Sequence, residues 1–149
     1  MIAIIDYGVG NLFSLKSSLA AIGREAVVTG DRAVLRAASH VILPGVGAFG
    51  DAAARLRAAG MAEAVLEAAA AGKPVLGICL GMQLLLERSF EYGEHPGLGL
   101  IPGEVRPIRD VIPAGLAVPH MGWNALRFPA ERPRSPLFAA LEEGEHVYF

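Results

Sequence analysis

Short apolar runs in this chain alternate with longer stretches whose apolar positions recur every three or four residues, the pattern of strands feeding helices in a parallel sheet. Ile2 to Ile5 reads as a first strand. Asn11 can cap a helix in which Leu12, Leu15, Leu19 and Ile22 share a face, and Gly23 ends it. Glu25 to Thr29 is a second strand, Asp31 can cap a short helix through Ala38, and Val41-Ile42-Leu43 is a central strand that stops at Pro44. A glycine loop follows. Asp51 opens an alanine-rich helical region, restarted near Met61 and closed by Gly72. Pro74 introduces the run Val75 to Ile78, read as a buried strand, and Leu80 to Glu87 carries helix formers without Gly or Pro. Beyond Ser89 the pattern changes to Gly, Pro and short alternating runs, with antiparallel strands expected within Leu98–Ile108, Ala117–Phe128 and His146–Phe149. The expected class is α/β, with a mostly parallel central sheet flanked by helices and antiparallel strands in the C-terminal part. A single domain over residues 1–149 is expected, since no linker or repeat interrupts the chain.

Composition narrows the function classes. Hydrophobic residues make up 53% and charged residues 19%, so the chain can bury a core. A formal net charge of -2 gives no general attraction for nucleic acid or an anionic membrane, and no apolar run approaches the length needed to span a bilayer. The opening Met1 to Asp6 has no basic start or long apolar stretch and reads as a strand rather than a signal peptide. One cysteine excludes an internal disulfide and suits a reducing cytoplasm.

That cysteine carries the chemistry. Gly77-Ile78-Cys79-Leu80-Gly81 sets Cys79 on a strand-to-helix turn with a glycine two places to either side. A sharp elbow crowds those two positions, and a helix start presents N–H groups and positive potential that favour a thiolate. Such a sulfur attacks carbonyl carbon. The alternative, a small inert core cysteine, lacks a reason for both glycines. The loop Pro44-Gly45-Val46-Gly47-Ala48-Phe49-Gly50 follows the central strand and so falls on the same carboxyl edge of the sheet. N–H groups of Val46 or Gly47, with that of Leu80, are candidate donors to an oxyanion; a tight turn entering a helix would also account for Gly45 and Gly50. The glycine spacing is neither a dinucleotide fingerprint nor a phosphate loop. Gln83, one turn past Cys79, is a candidate substrate contact, with an exposed helical glutamine as the plain alternative. No His, Cys and acidic cluster has metal-ligand spacing, so no metal and no cofactor are expected.

With these motifs in hand, the chain closely resembles the class I glutamine amidotransferases, and among them the glutaminase subunits of imidazole glycerol phosphate synthase. Asp6-Tyr7-Gly8-Val9-Gly10-Asn11 resembles the opening loop, Leu43-Pro44-Gly45-Val46-Gly47 the oxyanion strand, and Gly77 to Gln83 the nucleophile elbow. Pro119-His120-Met121-Gly122-Trp123-Asn124 is similar to the block that distinguishes those subunits. The resemblance implies a flavodoxin-related glutaminase fold and hydrolysis of L-glutamine through a thioester at Cys79. It also implies transfer of ammonia to a cyclase subunit of (β/α)8-barrel form, as a heterodimer serving histidine synthesis. The partner surface is expected to include Asn11, Met121 and Trp123, although a lone tryptophan is more often a core residue.

The sequence departs from the family at one point. Members carry a catalytic His and Glu in a His-Pro-Glu segment near the C-terminus, and these 149 residues contain none. His40 precedes a strand, His95 is followed by Pro-Gly, His120 lies in the Gly-Trp-Asn block and His146 heads the last strand, so none fills the role. The resemblance therefore implies an incomplete triad, a missing C-terminal segment and little turnover from the chain as given. A partner-binding module without chemistry is the competing class; a cysteine hydrolase of the dienelactone type shares the elbow but accounts for neither Trp123-Asn124 nor the Pro44 loop.

Overall fold

The computed structural model describes residues 1–149, which form two compact units, Met1–Pro107 and Ile108–Phe149.

In the first unit, β1 (Ile2–Ile5), β2 (Ala26–Thr29), β3 (His40–Leu43) and β4 (Val75–Gly77) make one all-parallel sheet in the order β2-β1-β3-β4. The order reverses direction once. The chain steps from β1 outward to β2, then back across to β3 and β4, so right-handed crossovers put α1 (Leu12–Ala21) on one face and α2 (Arg32–Ala37), α3 (Phe49–Ala58) and α4 (Met61–Ala70) on the other. Strand alternation divides the apolar residues accordingly: Ala3, Ile5, Val41 and Leu43 join Leu35, Phe49, Leu56, Met61 and Val65 in one buried cluster. Ile4 and Ile42, on the opposite face, are also buried.

The expected caps form. Asn11 Oδ1 accepts from the Ser14 N–H at 3.2 Å, and Asp31 Oδ1 from the Ala33 N–H at 2.7 Å, each satisfying a helix-end donor that has no partner within the helix. The apolar face of α1 is only half-buried at Leu12, Leu15 and Leu19, and Ile22 lies beyond the helix, exposed.

Two expectations are corrected. The Val75 run is not a buried strand: β4 is an edge of the sheet, paired only with β3, and Leu76 is 46% exposed. The helix after Cys79 does not reach Glu87. It is one short element, α5 (Leu80–Leu84), and the chain leaves it for β5 (Leu86–Ser89). Returning backbone captures it there: the N–H groups of Leu98, Leu100 and Gly99 donate to the carbonyls of Leu84, Leu85 and Leu86 at 2.8, 2.9 and 3.0 Å. Gly97 makes the approach possible, because a Cβ on it would overlap the Leu86 carbonyl oxygen.

β5 sits between β6 (His95–Pro96) and β7 (Ile101–Val105) in a small second sheet. The β5–β6 pair is antiparallel, but β5–β7 is parallel, so the antiparallel expectation holds only in part here. In the second unit, β8 (Trp123–Ala125) and β9 (His146–Tyr148) form an antiparallel pair with Trp123 opposite Tyr148.

Candidate active site

Cys79 stands at the junction of β4 and α5 with φ 54° and ψ -118°, a conformation that costs a non-glycine residue roughly 1–3 kcal/mol. Its surroundings enforce it. The Ile78 N–H donates to the Leu43 carbonyl at 3.0 Å, the Gly81 N–H to the Ile78 carbonyl at 2.9 Å and the Met82 N–H to the Cys79 carbonyl at 3.0 Å, which closes the turn on both sides. Both flanking glycines are sterically required. A Cβ on Gly77 would lie 2.6 Å from Met82 Cα, and one on Gly81 would overlap the Leu43 carbonyl oxygen and come within 2.7 Å of its carbon. The outcome is an exposed thiol on a strained elbow, which the inert-core alternative does not describe. Leu80 is the first residue of α5; its side chain is buried, so the group it presents is a backbone N–H without a helical acceptor. α5 is only five residues long, so a little over one turn of aligned peptides begins after Cys79 rather than the longer helix expected.

The glycine loop meets the elbow directly. A Cβ on Gly45 would fall 2.6 Å from the Gly81 nitrogen and 2.9 Å from Leu80 Cβ, so the Gly45 backbone is pressed against the start of α5. The next two residues are free by comparison: Val46 is 53% exposed, and Gly47 has φ +88° with nothing within 4 Å of the space a Cβ would take. Gln83 lies half-buried in the turn that follows, its N–H donating to the Cys79 carbonyl at 3.2 Å.

Residues to which the sequence reading gave no such role hold this loop at both ends. At its root, the buried Tyr7 hydroxyl donates to the Pro44 carbonyl at 2.8 Å, and the Gly10 backbone packs on the Pro44 ring, where a Cβ would meet Pro44 Cβ at 2.9 Å. Burial pushes the Tyr7 phenol up to about 12, so its proton stays on the oxygen. At the far end Ala48 offers α3 no side-chain cap; Glu91, from the segment after β5, supplies one, its Oε2 accepting from the Phe49 N–H at 2.7 Å. The His95 ring covers Gly50, leaving no room for a Cβ there. A tyrosine beside a glycine turn and a glutamate in a loop carry no spacing signal that would have revealed these roles.

No histidine hydrogen-bonds Cys79. His40 Nδ1 pairs with Ser39 Oγ at 3.0 Å, His95 lies on Gly50, His120 Nε2 pairs with Asn124 Nδ2 at 2.9 Å, and His146 begins β9. Asn11 is the exposed cap of α1. In the second unit Met121 and Trp123 are 68% and 69% exposed, and Trp123 stands edge-on to Tyr148 with ring centres 5.5 Å apart, so Trp123 is not a core residue of that unit.

Known proteins match this chain across its length. The family model of class-I glutamine amidotransferase matches residues 3–145. The imidazole glycerol phosphate synthase subunit HisH of Wolinella succinogenes is 49% identical over 150 residues, covering 100% of this chain and 72% of that protein. The HisH subunits of Sulfurimonas denitrificans and Moorella thermoacetica are 52% and 51% identical, with 100% and 99% of this chain aligned to 70% and 67% of theirs. In three dimensions, a crystal structure of a glutamine amidotransferase superposes with a TM-score of 0.70 at 19% identity, over 100% of this chain and 70% of that one, a likeness of fold. A family match over residues 3–145, with HisH relatives about half identical over the whole chain, shows that the chain belongs to the class I glutamine amidotransferases, on the branch of the HisH subunits of imidazole glycerol phosphate synthase.

Proposed function

We propose that this chain is the glutaminase subunit of an imidazole glycerol phosphate synthase, with Cys79 as nucleophile. The observation that carries the reading is the exposed Cys79 thiol, held at φ 54° against the Gly45 loop by glycines that admit no side chain. The sulfur adds to the carboxamide carbon of L-glutamine, and N–H groups of Val46 or Gly47 and of Leu80 take up the negative charge that forms on oxygen. Collapse expels ammonia, the departing nitrogen taking up the proton that the thiol gave up, and leaves a thioester; water then adds to it, and glutamate is released as a proton of that water returns to the sulfur. Gly45 lets the loop approach the elbow, and Gln83 contacts the substrate. Both units form one amidotransferase domain, a reading supported by a family match that spans residues 3–145. Ammonia passes to a cyclase subunit of (β/α)8-barrel form, with Asn11 of the first unit and Met121 and Trp123 of the second as the residues that contact it. The pair works in the cytoplasm, a reading supported by the free Cys79 thiol, which suits a reducing compartment.

The test uses a diazo-ketone analogue of glutamine and intact-mass measurement. One adduct on Cys79, absent from Cys79→Ser, is expected; no labelling, or equal labelling of the variant, would overturn the reading. One observation keeps a second reading, a partner-binding module without turnover: none of the four histidines among residues 1–149 hydrogen-bonds Cys79. Glutamine hydrolysis measured with saturating cyclase subunit separates the two, since the module binds the cyclase yet releases no glutamate.

A further inference from the structure

Resting on the glutaminase reading, we infer that Tyr7 is a positioning residue for the reaction: its hydroxyl fixes the Pro44–Gly45 peptide and thereby aims the donor loop at the Cys79 elbow.

The reasoning starts from where the hydrogen bond falls. Tyr7 leaves the C-terminal end of β1, and its hydroxyl crosses to the last residue of the neighbouring strand's path, donating to Pro44 at 2.8 Å inside the protein. In a trans peptide the carbonyl and the following N–H point in opposite directions, so holding the Pro44 oxygen also sets the Gly45 N–H and the heading of the chain into Val46. Proline donates no N–H and its ring fixes φ, which leaves ψ of Pro44 as the loose torsion at the loop root. The tyrosine acts on that torsion. Gly10 seats the Pro44 ring from the same opening loop, while Gly45 lies on the Gly81 nitrogen at the other side of the root. A small rotation at Pro44 would therefore swing Val46 and Gly47 relative to Leu80, the other candidate donor. Displacements well under an ångström matter to an oxyanion site, where donor distances are held to a few tenths.

A tyrosine that served only to fill the core would act equally well without its oxygen. The test compares two reagents on the full chain. The diazo-ketone analogue of glutamine reacts with its carbonyl oxygen seated against the oxyanion donors; iodoacetamide is displaced at carbon and needs no such seat. For Tyr7→Phe, which keeps the ring, we expect diazo-ketone labelling of Cys79 to slow about fivefold, the equivalent of one net hydrogen bond, with iodoacetamide alkylation within about twofold of the unaltered chain. Equal diazo-ketone rates in both proteins would overturn the inference while leaving the glutaminase reading intact, as would both reagents slowing together in a folded variant. Failure of the analogue to label the unaltered chain would remove the glutaminase reading and this inference with it. Should Tyr7→Phe not fold, a ring-fluorinated tyrosine placed at position 7 keeps the hydroxyl but acidifies it. Diazo-ketone labelling should then fall as pH rises through the new phenol's ionisation, and a pH profile matching that of the unaltered chain would overturn the inference.

Discussion

Replacing Gly81 by alanine is the severest small change that this structure identifies. The added Cβ would overlap the Leu43 carbonyl oxygen and stand 2.7 Å and 3.0 Å from the carbonyl carbons of Leu43 and Pro44. None of these atoms is the tip of a flexible chain. Leu43 is fully buried in β3 and its carbonyl already accepts the Ile78 N–H at 3.0 Å, so relief requires the elbow to move off the strand and that hydrogen bond to lengthen. Overpacking of a tight site costs about 1–3 kcal/mol and one backbone hydrogen bond about 1 kcal/mol more, which together predict a loss of about 2–4 kcal/mol. The control is Gly72→Ala, where φ is +74° but nothing lies within 4 Å, leaving only the left-handed backbone cost of about 1–2 kcal/mol. Thermal melts followed by circular dichroism should place Gly81→Ala roughly 10 °C below the unaltered chain and Gly72→Ala roughly 5 °C below it. If Gly81→Ala melted at or above Gly72→Ala, the close contact between elbow and β3 would be wrong.

The other expectations are smaller. Glu91→Ala removes the cap that Ala48 cannot supply, so it should cost about 1 kcal/mol and speed hydrogen exchange at the Phe49 amide, while Glu91→Gln, which keeps an acceptor oxygen, should not speed that exchange. Glu67 is held below its ordinary 4.5 by hydrogen bonds and charge from Arg36 and Arg32. Its folded value is depressed, so its stabilisation is present above about 4.5 and lost as pH falls through the lower value; the small melting gap to Glu67→Gln should close on that acid side. Ultraviolet titration should show a phenol ionising near pH 12 that Tyr7→Phe lacks, and because the folded value is the higher one, Tyr7 stabilises the fold below about 10 and ceases to do so as pH rises through 12. Trp123→Ala should weaken binding of the cyclase subunit by about tenfold or more in a calorimetric titration, as expected for an exposed aromatic anchor.

The sequence was most readable where local signals agree. Asn11 and Asp31 mark helix starts that form as caps, and the apolar runs of β1, β2 and β3 fall within a residue or so of their observed bounds, since burial and period act over the same few residues. The glycines around Cys79 were readable for the same reason: an elbow is a local shape. What escaped was set by distant backbone. Leu84-Leu85-Leu86 has the composition of a helix, yet the carbonyls there bond to Leu98, Gly99 and Leu100 more than ten residues on, and the one clue, Gly97, has no meaning until its partner is known. The edge position of β4 was equally hidden, because apolarity reports burial in prospect and not which neighbour supplies it. Tyr7 and Glu91 act across the fold on a main-chain carbonyl and a main-chain N–H, atoms that every residue type presents alike.

Gly45–Ala48 is a bridge with both abutments fixed, one at the Pro44 carbonyl and the other at the Phe49 N–H. A span held in this way cannot swing as a flap. The motion left to it is a crankshaft turn, in which the torsions on either side of the Val46–Gly47 peptide rotate in opposite senses while their α-carbons stay in place. Half a circle of such rotation exchanges a donor for an acceptor on the exposed face of the loop. Gly47, at φ +88° and in open space, is the residue at which positive and negative φ are both accessible. Two settings of one peptide then differ by little more than the hydrogen bonds available to each, and a bias of about 1.4 kcal/mol moves their ratio tenfold. One well-placed polar contact to this peptide would therefore be enough to choose between its settings and leave every other atom of the sheet where it was.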